Sequence, residues 1–386
     1  MQKYGHTYHY QSQSPKSWDM SLSVGIVGLP NVGKSTLFNA LLKRQQAYVA
    51  NFPFATIEPN IGVVPVPDDR LARLAKVVKD SENLSDLPPE VPATVEFLDI
   101  AGLIAGAHKG EGLGNKFLSH IRETDAICHV VRSFSDPNII KEGTVDPKTD
   151  LEVVETELKL ADIETLVKQK DPGNTSNKEL LKWWAIVMKL KDSLEKGTPA
   201  REVVLSDEEK VIAKQLSLLT AKPLLVVLNV DEADLKEGKK TELKFAENVG
   251  LHSSQIVTIC AKVESELASL TENDQKAYLE DLGVSGSGLE RLIKKAFETL
   301  GLITFLTAGE KEVRAWTIKK DSRAHDAAGV IHTDFVKNFI KADVVDFKDF
   351  VEFGGWHNCR EKGKVRSEGK DYVVQDGDVI EFKIGS

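Results

Sequence analysis

The run Gly28-Leu29-Pro30-Asn31-Val32-Gly33-Lys34-Ser35-Thr36 constrains this chain more than any other stretch of it. It matches G-x-x-x-x-G-K-[ST] at every defining position and stands in the setting that pattern requires. A short β-rich run, Leu22–Gly28, precedes it. Lys34–Lys43 follows with Leu37, Phe38 and Leu41 on one side, as a helix would place them. Glycines let the backbone curl so that successive N–H groups converge on an anion, and the positive end of the helix adds to their pull. Asn31, Val32, Gly33, Lys34, Ser35 and Thr36 are the expected phosphate cradle. Lys34 would set its ammonium on the β- and γ-phosphate oxygens, and the Ser35 hydroxyl would be a Mg²⁺ ligand. The competing reading is a chance glycine-rich turn, which the strand–loop–helix order argues against.

Further strands are expected at Ile61–Val66, Thr94–Asp99, Ala126–Val131, Leu224–Asn229 and Ile256–Ile259. Helical patterns alternate with them at Lys116–Glu123, Lys239–Val249 and Leu289–Thr299. Alternation of this kind predicts an α/β domain with a mostly parallel sheet covered by helices on both faces. Between Lys141 and Leu219 it stops. Leu151, Val154, Leu158 and Ala161 step by three and four, and so do Leu180, Trp183, Val187, Leu190 and Leu194, with the loop Asp171–Asn177 between the sets. This predicts an inserted antiparallel helical hairpin with arms roughly 27 Å long. Trp183 and Trp184 read as one packed and one flanking residue of that hairpin.

After Gly301, Glu312–Lys319 alternates like a strand and Asp326–Ile340 reads as a helix. Lys370–Val374 and Val379–Ile384 read as strands joined at Gln375–Asp378 by an Asp-Gly hairpin turn. The expected divisions are a disordered leader at 1–19, the first part of the nucleotide-binding domain at 20–140, the hairpin at 141–205, the second part at 206–301, and a C-terminal α+β domain at 302–386. The leader is polar and lacks the apolar stretch of a signal peptide, and Met20 is a candidate start. A net charge of -9 disfavours a general nucleic-acid coat but leaves room for a local basic face. Cys128, Cys260 and Cys359 are too scattered for a disulfide framework or a zinc cluster, and their small number fits a reducing cytosol. No apolar run is long enough to span a membrane.

A phosphate loop binds but does not by itself hydrolyse. Asp99-Ile100-Ala101-Gly102 fits D-x-x-G at the end of a strand. Asp99 would hold Mg²⁺ through water, and the Gly102 N–H would sense the γ-phosphate. Thr56, in the proline-bearing run Asn51–Pro59, is the candidate switch threonine joining Mg²⁺ when the γ-phosphate is present; the alternative is a plain surface residue. The glycine-rich loop Leu103–Asn115 reads as a second switch with His108 and Lys109 at its tip. Leu103 occupies the place where many GTPases carry a water-positioning glutamine, and it cannot orient water. His108 could take over, or K⁺ beside Asn31 could supply charge near the β–γ bridge. The bland alternative for His108 is a solvated loop residue.

Guanine-specific relatives of this class use N-K-x-D. Here the strand ends in Asn229-Val230-Asp231-Glu232. Val230 replaces the lysine and the final carboxylate is Glu232, one methylene longer, so the guanine-reading pair is displaced; Val230 could pack on a base, and Asn229 could bond the N6/N7 edge of adenine. Cys260 and Ala261, followed by Lys262, sit where an S-A-K loop closes over a base. The alternative is that Asp231 or Glu232 reads guanine in a shifted register.

Together, these motifs resemble the Obg-like ATPase (YchF) family of translation-factor-class P-loop hydrolases, over about Leu22 to Lys383. The resemblance rests on Gly28–Thr36, Asn51–Pro59, Asp99–Asn115, Asn229–Glu232 and the C-terminal runs Val313–Thr317, Ile331–Phe335 and Glu368–Asp378. It implies a C-terminal TGS domain of β-grasp shape, Mg²⁺-dependent ATP hydrolysis, and cytoplasmic association with the ribosome (50S or 70S). It places Ser35 and Thr56 on Mg²⁺, Val230 on the adenine, and catalysis on His108. The alternative is a GTPase switch or RNA-binding adaptor with slow, partner-stimulated hydrolysis. Arg360, Lys362, Lys364 and Arg366, near Trp356 and His357, could meet rRNA phosphates, or could be a solvated hairpin compensated by Glu361 and Glu368.

Overall fold

The computed structural model describes residues 22–51, 60–100, 113–135 and 146–385. The expected leader at 1–19 lies outside them. In chain order the strands are β1 Ser23–Val27, β2 Ile61–Pro65, β3 Glu90–Val91, β4 Thr94–Asp99, β5 Ala126–Ser133, β6 Leu224–Val230, β7 Ile256–Ile259, β8 Leu302–Ala308, β9 Val313–Lys319, β10 Phe339–Asp346, β11 Arg366–Glu368 and β12 Asp378–Ile384. The α-helices are α1 Lys34–Asn51, α2 Arg70–Ser81, α3 Leu113–Glu123, α4 Pro147–Val167, α5 Lys178–Glu195, α6 Asp207–Gln215, α7 Gly238–Val249, α8 Ala261–Leu267, α9 Glu272–Asp281, α10 Gly288–Thr299, α11 Ala324–Ile331, α12 Thr333–Lys337, α13 Phe347–Phe353 and α14 Trp356–Glu361.

The first sheet has the order β2-β4-β1-β5-β6-β7. All its pairings are parallel except β2–β4, which is antiparallel. β6 reads LLVVLNV and is buried at every residue, because helices cover both of its faces. One face carries Leu37 and Leu41 of α1, Leu74 of α2, and Leu292 and Ile293 of α10. The other carries Phe117 and Ile121 of α3, Val154 and Leu158 of α4, and Phe245 of α7.

α4 begins where Asp146 accepts the N–H groups of Lys148 and Thr149, with Pro147 in the first turn. α5 begins at Asn177, whose side chain accepts from Glu179 and Leu180 N–H. These caps satisfy otherwise orphaned donors and fix where each helix starts. The arms are antiparallel, since Glu155 early in α4 pairs with Arg201 beyond α5 at 2.7 Å. Both tryptophans are half-buried against the hairpin's own core. That core also takes in Leu216 and Leu218. The helical insert therefore runs past residue 205, through α6. Near its C-terminal end α4 is bolted to the 3₁₀ turn Leu219–Ala221 ahead of β6 by Asp162, whose carboxylate accepts the Leu219 and Thr220 N–H groups at 2.7 and 2.8 Å and the Thr220 hydroxyl at 2.6 Å.

The second sheet has the order β11-β10-β12-β8-β9-β3. Three C-terminal expectations need correction. The helix expected over Asp326–Ile340 is two short helices broken at His332, which is extended (φ -163°, ψ 144°) and whose Nδ1 accepts the Asp334 N–H. Its last residues belong to β10. Lys370–Val374 is not a strand, and only an isolated bridge joins Val373 to Arg323. The Asp-Gly pair does not form a hairpin either. Asp376 and Gly377 bind the backbone of Thr304 in β8 instead, at 2.9 and 2.8 Å. β3, from the first half of the chain, joins this sheet by pairing in parallel with β9.

His129, in the middle of β5, is fully buried, and neither ring nitrogen has a partner. Burial, with Lys34 and Arg201 as like charges, pushes its pKa down to about 3. The unfolded chain takes up that proton near pH 6.5. Protonation of His129 thus takes no stability above pH 6.5, and stability is lost as pH falls from there toward 3, by up to ~1.4 kcal/mol per pH unit. Urea unfolding at pH 7, 6 and 5 is expected to show this loss, and His129→Leu to flatten it by about that amount per unit. Parallel pH profiles for the two proteins would contradict a neutral, buried His129.

Candidate functional site

The glycine loop is shaped by close approaches on two sides. Gly28 has φ 149°, and a Cβ there would lie 2.4 Å from the Val130 carbonyl of β5. Gly33 has φ 98°, and a Cβ there would lie 2.2 Å from Asn229 Nδ2. Between them Asn31 takes the left-handed conformation at φ 63°. Val32 points into the core while Asn31 is exposed, so the loop is anchored by one side chain and open at the other. Leu37 N–H donates to the Gly33 carbonyl at 3.0 Å, which starts α1 and leaves the N–H groups before it for a ligand. Ser35 and Thr36 are exposed on that first turn.

Lys34 is 8% exposed, and its Nζ donates to the Leu29 carbonyl at 2.7 Å. Burial lowers its pKa, and the Asp99 carboxylate partly offsets this. Asp99 shows the mirror image: burial raises its pKa and Lys34 opposes the rise. The ammonium and the carboxylate thus feel each other's charge, and each is short of solvation. A triphosphate would supply the counter-charge the lysine lacks, and a Mg²⁺ ion the one the aspartate lacks. The donors present suit Mg²⁺ in this class: one hydroxyl at Ser35, one carboxylate at Asp99, and the remainder from phosphate and water. Among the described residues there is no cluster of three or more His, Cys, Asp or Glu side chains that could hold a metal. Thr56, Gly102, Leu103 and His108 lie outside the described residues.

The base edge differs from the sequence expectation in two ways. Asn229 is 5% exposed and its amide is committed to the protein. Nδ2 donates to the Val32 carbonyl at 2.9 Å, and Oδ1 accepts the Ala261 N–H at 3.0 Å. It is a staple between the glycine loop and the β7–α8 turn rather than a reader of the N6/N7 edge. Val230 is 2% exposed and belongs to the core with Leu224 and Leu228. β6 runs one residue further than expected, pairing Val230 with Ser133, and strand alternation turns its side chain inward. It does not offer the base an open face.

Glu232 is exposed at the start of a 3₁₀ turn. Asp231 accepts the Ser135 N–H and hydroxyl at 2.9 and 3.0 Å. Cys260 and Ala261 are buried beside Asn229, and burial raises the Cys260 thiol pKa. Phe134 was not singled out from the sequence. It is half-buried at the end of β5, next to the Ser135–Asp231 contact, with the Arg132 guanidinium 4.5 Å from its ring centroid. A lone aromatic after a buried strand gives no signal by itself.

The C-terminal basic cluster is largely neutralised. Arg360 pairs with Glu381 at 2.7 Å, Lys364 with Asp349 at 3.2 Å, and Arg366 with Asp346 and Asp378 at 3.5 and 3.3 Å. Of the four, Lys362 alone carries no ion pair among the described residues. The compensating acids are not the expected ones, because Glu361 faces His357 instead.

A desolvated lysine in a curled glycine loop, between a buried parallel strand and a helix, defines a P-loop nucleotide-binding protein. This one carries a helical insert and a second, C-terminal sheet. A family model described as 50S ribosome-binding GTPase matches residues 23–167, and the YchF-GTPase C-terminal model, described as a protein of unknown function, matches residues 302–385. The chain is 49% identical over 377 residues to the ribosome-binding ATPase YchF of Bacillus subtilis, covering 94% of this chain and 99% of that one. It is 47% identical over 370 residues to the protein of the same name in Escherichia coli O157:H7, with the same coverage. A solved structure described as the Schizosaccharomyces pombe YchF GTPase superposes with a TM-score of 0.81 at 37% identity, over 94% of this chain and 98% of that one. The chain belongs to the YchF family.

Asn229→Ala removes both staple bonds and is expected to weaken nucleotide binding about tenfold or more, at roughly 1–3 kcal/mol per unpaired buried group. Because the side chain acts on the loop and not on the base, ATP and GTP affinities should fall by the same factor. Isothermal titration with both nucleotides checks this, and a change in their ratio would return Asn229 to base reading.

Proposed function

We propose that this chain is a cytoplasmic, Mg²⁺-dependent ATPase that hydrolyses ATP to ADP and phosphate and associates with the ribosome in a nucleotide-gated way. The single observation that carries the reading is the buried Lys34 in a loop curled through Gly28, Asn31 and Gly33, its ammonium held by the Leu29 carbonyl. The names of the bacterial relatives support the ribosome and the choice of ATP, while the description of the fission-yeast protein says GTPase.

The geometry favours adenine on one ground. A guanine reader needs a carboxylate free to accept from N1 and N2. Here Asp231, at the x position, is engaged by Ser135, and Glu232, in the place of the final aspartate, is one methylene longer and exposed at the start of a turned segment. The alternative, a GTPase switch reading guanine through Glu232, would have to fit this longer side chain to N1 and N2.

In the proposed mechanism the backbone of residues 31–36 binds and orients the phosphates. Lys34 leaves the Leu29 carbonyl for the β- and γ-phosphate oxygens, where its low hydration makes the new contact stronger. Ser35, and Asp99 through water, would hold Mg²⁺, with Thr56 joining them. When bound, Mg²⁺ neutralises the charge that develops on the phosphate oxygens. Gly102 would donate its N–H to the γ-phosphate. His108 would orient water in place of the glutamine that Leu103 replaces, and K⁺ beside Asn31 is a second source of positive charge. On the ribosome side, the neutralised Arg360–Arg366 cluster gives little support to rRNA contact there.

A competition titration of ATP against GTP on the purified protein with Mg²⁺ is expected to show ATP binding at least tenfold tighter. Equal affinity, or a preference for GTP, would overturn the choice of base. Sedimentation of the same preparation with ribosomes should give different bound fractions with ATP, with ADP and without nucleotide, since a ligand without differential binding shifts nothing.

A further inference from the structure

Arg70 opens α2 and is the hub of a clamp between the two sheets. Its Nε donates to both oxygens of Asp68 at 2.8 and 3.0 Å. Nη2 reaches Asp68 Oδ2 at 2.7 Å and Thr304 Oγ1 at 2.6 Å, and Nη1 reaches Asp376 Oδ2 at 2.9 Å. Asp376 Oδ1 accepts the Thr304 N–H, closing the ring. Asp68 follows β2, whereas Thr304 lies in β8 and Asp376 in the turn before β12. Gly377 makes room for the guanidinium, because a Cβ there would come within 2.9 Å of Nη1. Behind the clamp lies a cavity of about 300 Å³ lined by Val66, Ala93, Phe297, Leu302 and Ile303 among others.

The clamp is tied to the nucleotide site by a two-stranded ribbon. β2 and β4 pair antiparallel from Ile61↔Leu98 to Pro65↔Thr94. At one end the Asn60 carbonyl accepts the Asp99 N–H at 3.1 Å. At the other, the Val66 N–H donates to the Ala93 carbonyl at 2.8 Å. Beyond that bond one strand leads to Asp68 and Arg70. The other comes from β3, itself a member of the second sheet through Glu90↔Val313 and Val91↔Arg314. β4 also pairs with β1, Ile26 opposite Asp99, so a shift of Asp99 along its strand strains its pairing with β1 on one side and with Asn60 and β2 on the other.

We propose that the ribbon couples the placement of Asp99 to closure of the Arg70 clamp, so that Arg70 is a positioning residue for the metal side of the nucleotide site and nucleotide occupancy is felt at the Asp376–Gly377 turn. This rests on the reading of Asp99 as the Mg²⁺ anchor. The clamp has a ready second state. Asp376 is 54% exposed, Arg70 keeps its bidentate hold on Asp68 if Asp376 lets go, and the cavity leaves space for the turn to move. Opening gives up one partly exposed ion pair and the three hydrogen bonds of Asp376 and Gly377 to Thr304, each of small net worth at a hydrated turn, and a ligand can bias such an equilibrium. The coupling must act in both directions.

The test uses the full chain, a non-hydrolysable ATP analogue with and without Mg²⁺, and amide hydrogen exchange over residues 375–378 and β8. In the wild type, the Mg²⁺-bound analogue is expected to change exchange in the turn at least threefold. Asp376→Asn keeps the oxygen that Thr304 bonds but loses the charge. It should abolish that difference and weaken the analogue at least threefold with Mg²⁺ while leaving its affinity in EDTA unchanged. Asp376→Glu should restore the difference. A turn indifferent to nucleotide in the wild type, or an unaltered response in Asp376→Asn, overturns the proposal. If wild-type affinity does not depend on Mg²⁺, the reading of Asp99 falls and the proposal with it; if Mg²⁺ matters and the turn does not respond, the proposal alone falls.

Discussion

The Asn229 amide holds the site together. It reaches the Val32 carbonyl on one side and the Ala261 N–H on the other, joining three segments that are far apart in the chain. A loop curled through a left-handed Asn31 and two glycines at positive φ is costly to order and needs neighbours that over-determine it. The Val130 carbonyl beneath Gly28 and Asn229 beside Gly33 are those neighbours. A fixed loop in turn allows a buried, partly desolvated Lys34, which in a mobile loop would simply turn to water. The charge that makes the site a phosphate trap therefore depends on a neutral amide that need touch no ligand.

The appended parts are fastened to the nucleotide-binding unit in different ways. Asp162 is buried near the C-terminal end of α4 and satisfied by three donors from Leu219 and Thr220, in the turn ahead of β6. The second sheet borrows β3 from the first half of the chain. One apolar cluster continues from Leu74 and Leu292 through Leu306 and Val313 to Phe350 and Val379 without a break. The nucleotide-binding unit and the C-terminal unit thus share a core, so a contact made by one can be felt by the other. The helical insert keeps a core of its own, around Ile186, Leu190 and Leu216.

What could be read in advance follows from how local each signal is. The phosphate loop, the strand–helix alternation around it and the two long helices were legible because their causes lie within a few residues: glycine, helical period, caps. Asn229 and Val230 stand at the expected turn, but the structure sets the Asn229 amide on backbone groups and the Val230 side chain in the core. Whether an amide faces a base or a backbone depends on Ala261 and Val32, which no spacing rule connects to it. One further residue of β6 was enough to turn Val230 from pocket to core. β3 is too short to show any periodicity. The start of β10 was read as helix because helical spacing runs through His332, where the chain is in fact extended. Asp-Gly at 376–377 is a sound hairpin signal that a tertiary partner, Thr304, put to another use.

A crystal structure of the protein with Mg²⁺ and a non-hydrolysable ATP analogue tests the central claim most directly. The account predicts the β-phosphate inside the ring of N–H groups from residues 31–35. Lys34 Nζ should have moved from the Leu29 carbonyl to phosphate oxygen, and the Asn229 amide should still join Val32 to Ala261. A phosphate chain bound away from that loop, or an Asn229 rotated onto the base with its two backbone partners released, would contradict it.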